Sequence, residues 1–128
     1  MSLDLLGDAM NTIKTHENAG VEECSVRASK LVGEILKLFK EHGYVKEYSF
    51  KDDGKGGRYV IKLGGHINDC GVIKPRVPVK KGEWAKVEQM HIPGVGVGII
   101  VVSTPLGVVT NREAQEKQIG GRLLAFVY

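Results

Sequence analysis

Apolar residues recur along this chain with two periods, and each period marks out a set of elements. Leu3, Leu6, Met10 and Ile13 fall on one helical stripe. Ser2 can cap that helix, Asp4 suits its first turn, and His16 to Gly20 closes it. Val21 to Val26 (VEECSV) alternates apolar and polar residues and predicts a short strand. A second helix follows, capped by Ser29, with Leu31, Val32, Ile35, Leu36, Leu38 and Phe39 on a wide apolar face. Gly43 supplies its left-handed stop. Alternation resumes from Tyr44 to Phe50. The stretch Asp52-Asp53-Gly54-Lys55-Gly56-Gly57 then predicts a hairpin turn, and Arg58 to Leu63 the returning strand. The order α-β-α-β-β predicts two helices on one face of a three-stranded sheet.

The second half is mainly β. Val72 to Val79 (VIKPRVPV) carries two prolines, so it reads as one edge or bent strand. Lys80 to Met90 predicts a turn and a short irregular helix that turns Trp84 and Val87 inward. Gly98 to Val102 (GIIVV) is an unbroken apolar run, as expected of a strand buried on both faces. It stops at a polar turn, Ser103 to Gly107. Thr110 or Asn111 can cap a short helix beyond it, Gly120-Gly121 ends that helix, and Leu123 to Tyr128 is a closing strand. The fold class expected is α+β in two small subdomains: residues 1–64, a junction at 65–71, and a β-rich 72–128 with a short helix before its last strand.

Composition narrows the function. At 128 residues with 42% hydrophobic content, the chain can build a core. It has no apolar run near the roughly 20 residues of a membrane span. The N-terminus carries acids where a secretory signal needs bases, which points to an intracellular protein. Cys24 and Cys70 read as buried free thiols. Residues 1–64 balance 10 basic against 10 acidic residues, whereas 65–128 hold 8 and 5. Lys74, Arg76, Lys80 and Lys81 lie in 70–82 with no acid after Cys70, a local patch that attracts polyanions.

Catalytic motifs are weak. Gly94 to Gly98 runs G-x-G-x-G ahead of a strand, the wrong pattern and place for a dinucleotide loop. Gly54 to Gly57 lacks the spacing of a phosphate loop, and the histidines at 16, 42, 66 and 91 show no paired metal spacing. No cofactor or metal is expected. Ser103 lacks a nucleophile elbow. What remains is a hydroxyl-bearing turn that can meet RNA sugars, phosphates and base edges, with Lys and Arg nearby to supply salt-dependent affinity. A structural Ser/Thr turn fits the same residues. The residues alone leave both readings open, along with an adaptor that binds through 74–81.

One long motif closes most of that gap. Ser103-Thr104-Pro105-Leu106-Gly107-Val108-Val109-Thr110-Asn111-Arg112-Glu113-Ala114, then Ile119-Gly120-Gly121, resembles the signature of the eighth protein of the small ribosomal subunit. Asp4 to Lys14 and Ala28 to Leu31 share the resemblance. Ile67 to Arg76 (INDCGVIKPR) is similar to the archaeal and eukaryotic branch. The resemblance implies a non-catalytic constituent of the small subunit, in the cytoplasm. It would bind the central domain of the rRNA and neighbour other ribosomal proteins. It also implies that Ser103 and Thr104 contact sugar and base edges in the turn with Pro105, and that Gly107 lets the backbone approach. Asn11, Lys14, Ser29 and Lys30 would reach a second rRNA segment. The chain departs from the pattern at Pro105, where Ser is common, at Leu106, where Lys is common, and at Arg122, where bacterial members place Glu. Arg122 could meet a phosphate directly.

Overall fold

The computed structural model describes residues 5–74, 76–94 and 97–128. The Ser2 cap, Leu3, Asp4, Pro75 and the middle of the G-x-G-x-G stretch lie outside the described residues. The chain divides between Gly71 and Val72 into two compact units, with residues 65–71 in the first.

The first unit holds α1 (Leu5–Asn18), β1 (Glu23–Arg27), α2 (Lys30–Glu41), β2 (Val45–Lys51) and β3 (Arg58–Leu63). Its sheet runs β1-β3-β2, antiparallel throughout. Leu6, Met10 and Ile13 are buried, as their spacing predicts, and so are Val32, Ile35, Leu36, Leu38 and Phe39 of α2; Leu31 is only half-buried. The Ser29 hydroxyl accepts from the Val32 N–H at 3.1 Å and caps α2. Strand β1 starts two residues later than expected: Val21 is exposed, and Cys24 and Val26 point inward. The β2–β3 turn is closed by its acids, with Asp52 Oδ1 accepting from Gly54 N–H and Asp53 Oδ1 from Lys55 and Gly57 N–H. Cys24 and Cys70 are free and buried. Burial is the main reason their thiols are pushed up to about 11 and about 12.

The second unit is built on β8 (Gly121–Val127). The five-stranded sheet runs β4-β8-β6-β7, and β5 also pairs with β8. Of these strands, β4 (Cys70–Val72) straddles the boundary between the units, and β5 (Pro78–Val79), β6 (Ile99–Thr104) and β7 (Gly107–Thr110) lie within the second. The expected single strand over 72–79 is therefore two short ones. Between them the Ile73 N–H still donates to the Leu124 carbonyl at 2.9 Å and the Leu123 N–H to the Val77 carbonyl at 3.1 Å, but a proline in the sequence offers no amide for a continuous ladder. Helix α3 (Trp84–His91) buries Trp84 and Val87 as predicted. The Trp84 indole N–H donates to the Ile119 carbonyl at 3.2 Å. These side chains pack with Ile73, Val79, Ile92, Ile100, Val102, Val109, Ala114 and Leu123 in one core. Ile99 to Val102 are all buried, so β6 is covered on both faces.

Three local expectations change. Val108 and Val109 belong to a strand, β7, because β6 turns straight back on itself. Thr110 caps α4 (Asn111–Glu116), accepting from Glu113 N–H at 3.3 Å; Asn111 is instead buried, with its Oδ1 accepting from Ile100 N–H at 3.0 Å. Gly120-Gly121 does not end the helix. Gln118 takes the positive φ of 56° just past α4. The two glycines are needed for clearance: a Cβ on Gly120 would sit 2.1 Å from the Val79 carbonyl oxygen, and one on Gly121 2.5 Å from that of Ser103.

Backbone cannot move aside cheaply at such distances, so Gly121→Ala should destabilise the fold by about 1–3 kcal/mol. Gly82, where a Cβ would meet nothing within 4 Å, is the control. Urea denaturation should show a lowered midpoint for Gly121→Ala and an unchanged one for Gly82→Ala.

Candidate nucleic-acid interface

The β6–β7 hairpin is tighter than the five-residue turn expected. Ser103 and Thr104 are the last residues of β6, Pro105 and Leu106 form the turn, and Gly107 opens β7 opposite Thr104. Proline fits the first turn position, since its φ is already set there and no amide is needed. Gly107 has φ 114°, a conformation that favours glycine.

The two hydroxyls have different fates. Thr104 Oγ1 donates to the Gly107 carbonyl at 2.8 Å and accepts from the Leu106 N–H at 3.1 Å. Its only proton is spent inside the hairpin, so Thr104 acts first as a clasp that stiffens the turn. Ser103 is exposed, and its hydroxyl has no hydrogen-bond partner among the described residues.

Register places Ser103 in a row. It lies opposite Val108 on β7 and Arg122 on β8, and Arg122 lies opposite Pro78 on β5. Ser103, Arg122 and Pro78 are all exposed. Arg122 Nη1 donates to the Arg76 carbonyl at 3.2 Å. That bond steadies the guanidinium and leaves its other N–H groups free to meet an anion. Among the described residues Arg122 forms no ion pair. Lys80 follows β5 directly, its backbone beside Gly120, with Lys81 next to it; both are exposed. Lys74 and Arg76 are exposed in the segment before β5. The structure thus brings Ser103, Arg122 and the Arg76 backbone together beside the Pro105–Gly107 turn, with Lys80 at the near edge.

The first-unit candidates stand differently. Asn11 and Lys14 are exposed one turn apart on α1, and Lys14 pairs with Asp69 at 2.9 Å. Ser29 commits one lone pair to the α2 cap, and Lys30 is exposed at the start of that helix. The described contacts do not link the Asn11–Lys14 pair to Ser29–Lys30.

The clasp and the free hydroxyl separate in an experiment. Thr104→Val should cost about 1 kcal/mol of stability and speed hydrogen exchange at the Leu106 amide. Ser103→Ala should leave both unchanged, as read by thermal unfolding and amide exchange.

Residues 4–128 match the model of the family described as Ribosomal protein S8. Two archaeal relatives are similar over nearly the whole length of both chains. The small ribosomal subunit protein uS8 of Methanococcoides burtonii is 43% identical over 127 residues, covering 98% of each chain. That of Archaeoglobus fulgidus is 40% identical over 129 residues, covering all of each. The chain therefore belongs to the ribosomal protein S8 family.

Proposed function

We propose that the row Ser103–Arg122–Pro78 and the adjoining Pro105–Gly107 turn grip an irregular stem in the central domain of the small-subunit rRNA. Membership of the S8 family makes the chain a structural, non-catalytic constituent of that subunit, and so of the cytoplasmic ribosome. The observation that carries the site is the asymmetry of the hairpin hydroxyls. One is consumed holding the turn; the other stands free beside a steadied arginine.

A wide, shallow RNA minor groove displays 2′-hydroxyls and base edges. The Ser103 hydroxyl can donate to one such group and accept from another. Gly107 leaves the turn without a Cβ where the groove wall would come closest. Arg122 faces a phosphate, and Arg76, Lys80 and Lys81 extend the cationic surface along its flank. Thr104 keeps one acceptor lone pair for RNA, so its part is chiefly to hold the hairpin. Leu106, exposed at the tip, offers apolar contact and no phosphate bond. Asn11, Lys14, Ser29 and Lys30 of the first unit would meet a second rRNA segment. Lys14 must share its charge with Asp69 to do so.

The test is binding to a transcript of the small-subunit rRNA at several salt concentrations. Ser103→Ala should weaken binding by about 1–3 kcal/mol, the scale of a lost base-edge contact. Arg122→Gln should flatten the salt dependence by roughly one phosphate contact, a slope change of about 0.7–0.9. Wild-type affinity and slope in both variants would exclude the row as the RNA site.

A further inference from the structure

The outer face of the first unit's sheet carries a charge pattern that the row in the second unit does not use. Strand register aligns three rungs across β1, β3 and β2. Glu23–Lys62–Glu47 alternates in sign, Ser25–Val60–Ser49 is hydroxyl, apolar, hydroxyl, and Arg27–Arg58–Lys51 is cationic throughout. All but half-buried Val60 are exposed. At one end, then, opposite charges face each other, which favours a sheet. At the other end three like charges do, which opposes it.

We propose that the Arg27–Arg58–Lys51 rung is a second RNA seat, holding phosphates of an rRNA strand laid across this face. The proposal rests on the rRNA-binding reading above. The rung spans two strand spacings, about 10 Å, and none of its three cations forms an ion pair among the described residues. Arg58 is already aimed: its Nε donates to the Ser25 hydroxyl at 3.3 Å and its Nη2 to the Ser25 carbonyl at 3.2 Å. Its remaining N–H groups are free for an anion.

Three acids lie near, Asp8, Asp52 and Asp53, and with Lys55 of the same turn the four cations exceed them by one. Asp8 shares the lining of a surface cavity with Arg27 and Arg58. Asp53, in the hairpin turn, has its carboxyl held below the usual range chiefly by the Lys55 and Gly57 amides, both of which donate to its Oδ1. The Ala28 N–H donates to the Gly57 carbonyl at 3.0 Å, so the chain leaves β1 beside the β3 end of the rung and runs on to Ser29 and Lys30. The rung and those two residues therefore form one stretch of surface. An acidic protein would also satisfy the charge. The neighbouring Ser25 and Ser49 hydroxyls favour RNA, because they can meet sugar 2′-hydroxyls beside the phosphates.

The test uses the full chain and its small-subunit rRNA transcript, with binding constants measured from low to high KCl. Arg27→Gln/Lys51→Gln should lower the magnitude of the salt slope by about 1.4, and adding Arg58→Gln should bring the loss to about 2, at roughly 0.7 per phosphate. The double variant leaves the Arg58–Ser25 bonds in place, so it keeps the test valid if the triple variant folds poorly. Ser103→Ala is run in parallel. Wild-type slopes in the rung variants beside weakened Ser103→Ala binding would overturn this proposal alone. Wild-type binding in every variant would overturn both sites. Loss of an acidic ribosomal protein from the assembled particle, with the RNA slope unchanged, would assign the face to a protein and also overturn it.

Discussion

The close approach of β8 to its neighbours is the constraint on which the second unit depends. At Gly120 and Gly121 the backbone comes so near the carbonyls of Val79 and Ser103 that no side chain fits. That approach accompanies the register of β5, β8, β6 and β7 as one sheet, and the register aligns Pro78, Arg122, Ser103 and Val108. The buried run Ile99 to Val102 anchors the row from within. Asn111 adds to the anchorage by accepting the Ile100 N–H from inside the core. The exposed chemistry therefore sits on a closely packed frame, which suits the proposed fit to an irregular stem without reorganising.

Division of labour between neighbouring hydroxyls is the second theme. Ser103 and Thr104 look equivalent as a sequence. Strand alternation points them to opposite faces of β6. On its face Thr104 meets the returning strand and closes the turn, while Ser103 stands beside Arg122. A threonine clasp and a proline at the first turn position both reduce the freedom of the tip, so the chain stiffens its turn by two independent means. The turn thereby gives up hydroxyl contacts that a more flexible, serine-rich version would offer.

Much of this was legible in the residues. The helix stripes, the Ser29 cap, the β2–β3 turn and the inward Trp84 and Val87 all follow from periodicity and local chemistry, which act over a few residues. What escaped depends on pairing. Strand β7 is four residues long, too short for a period to declare itself, and it exists because β6 has a partner there. Gly120-Gly121 resembles a helix stop in sequence, whereas its role is set by Val79 and Ser103, far away in the chain. Asn111 reads as a surface cap until β6 supplies an amide for it. The cationic rung is an intermediate case. Lys51 and Arg58 flank the predicted turn, so the hairpin alone pairs them, but Arg27 joins only once β1 docks on β3. Of the proposed site residues, Ser103 and Arg122 could be named from the motif, while their adjacency could not.

The proposed RNA site lies along the row that β8 holds together. Backbone amide chemical shifts of the isotopically labelled chain, followed while the small-subunit rRNA stem is titrated in, test it directly. The largest changes should trace Arg122, Ser103, Val108 and the Leu106–Gly107 tip, leaving the outward side of α3 around Lys86 and Gln89 unmoved. Changes centred on α3, with Ser103 and Arg122 unperturbed at saturation, would contradict it.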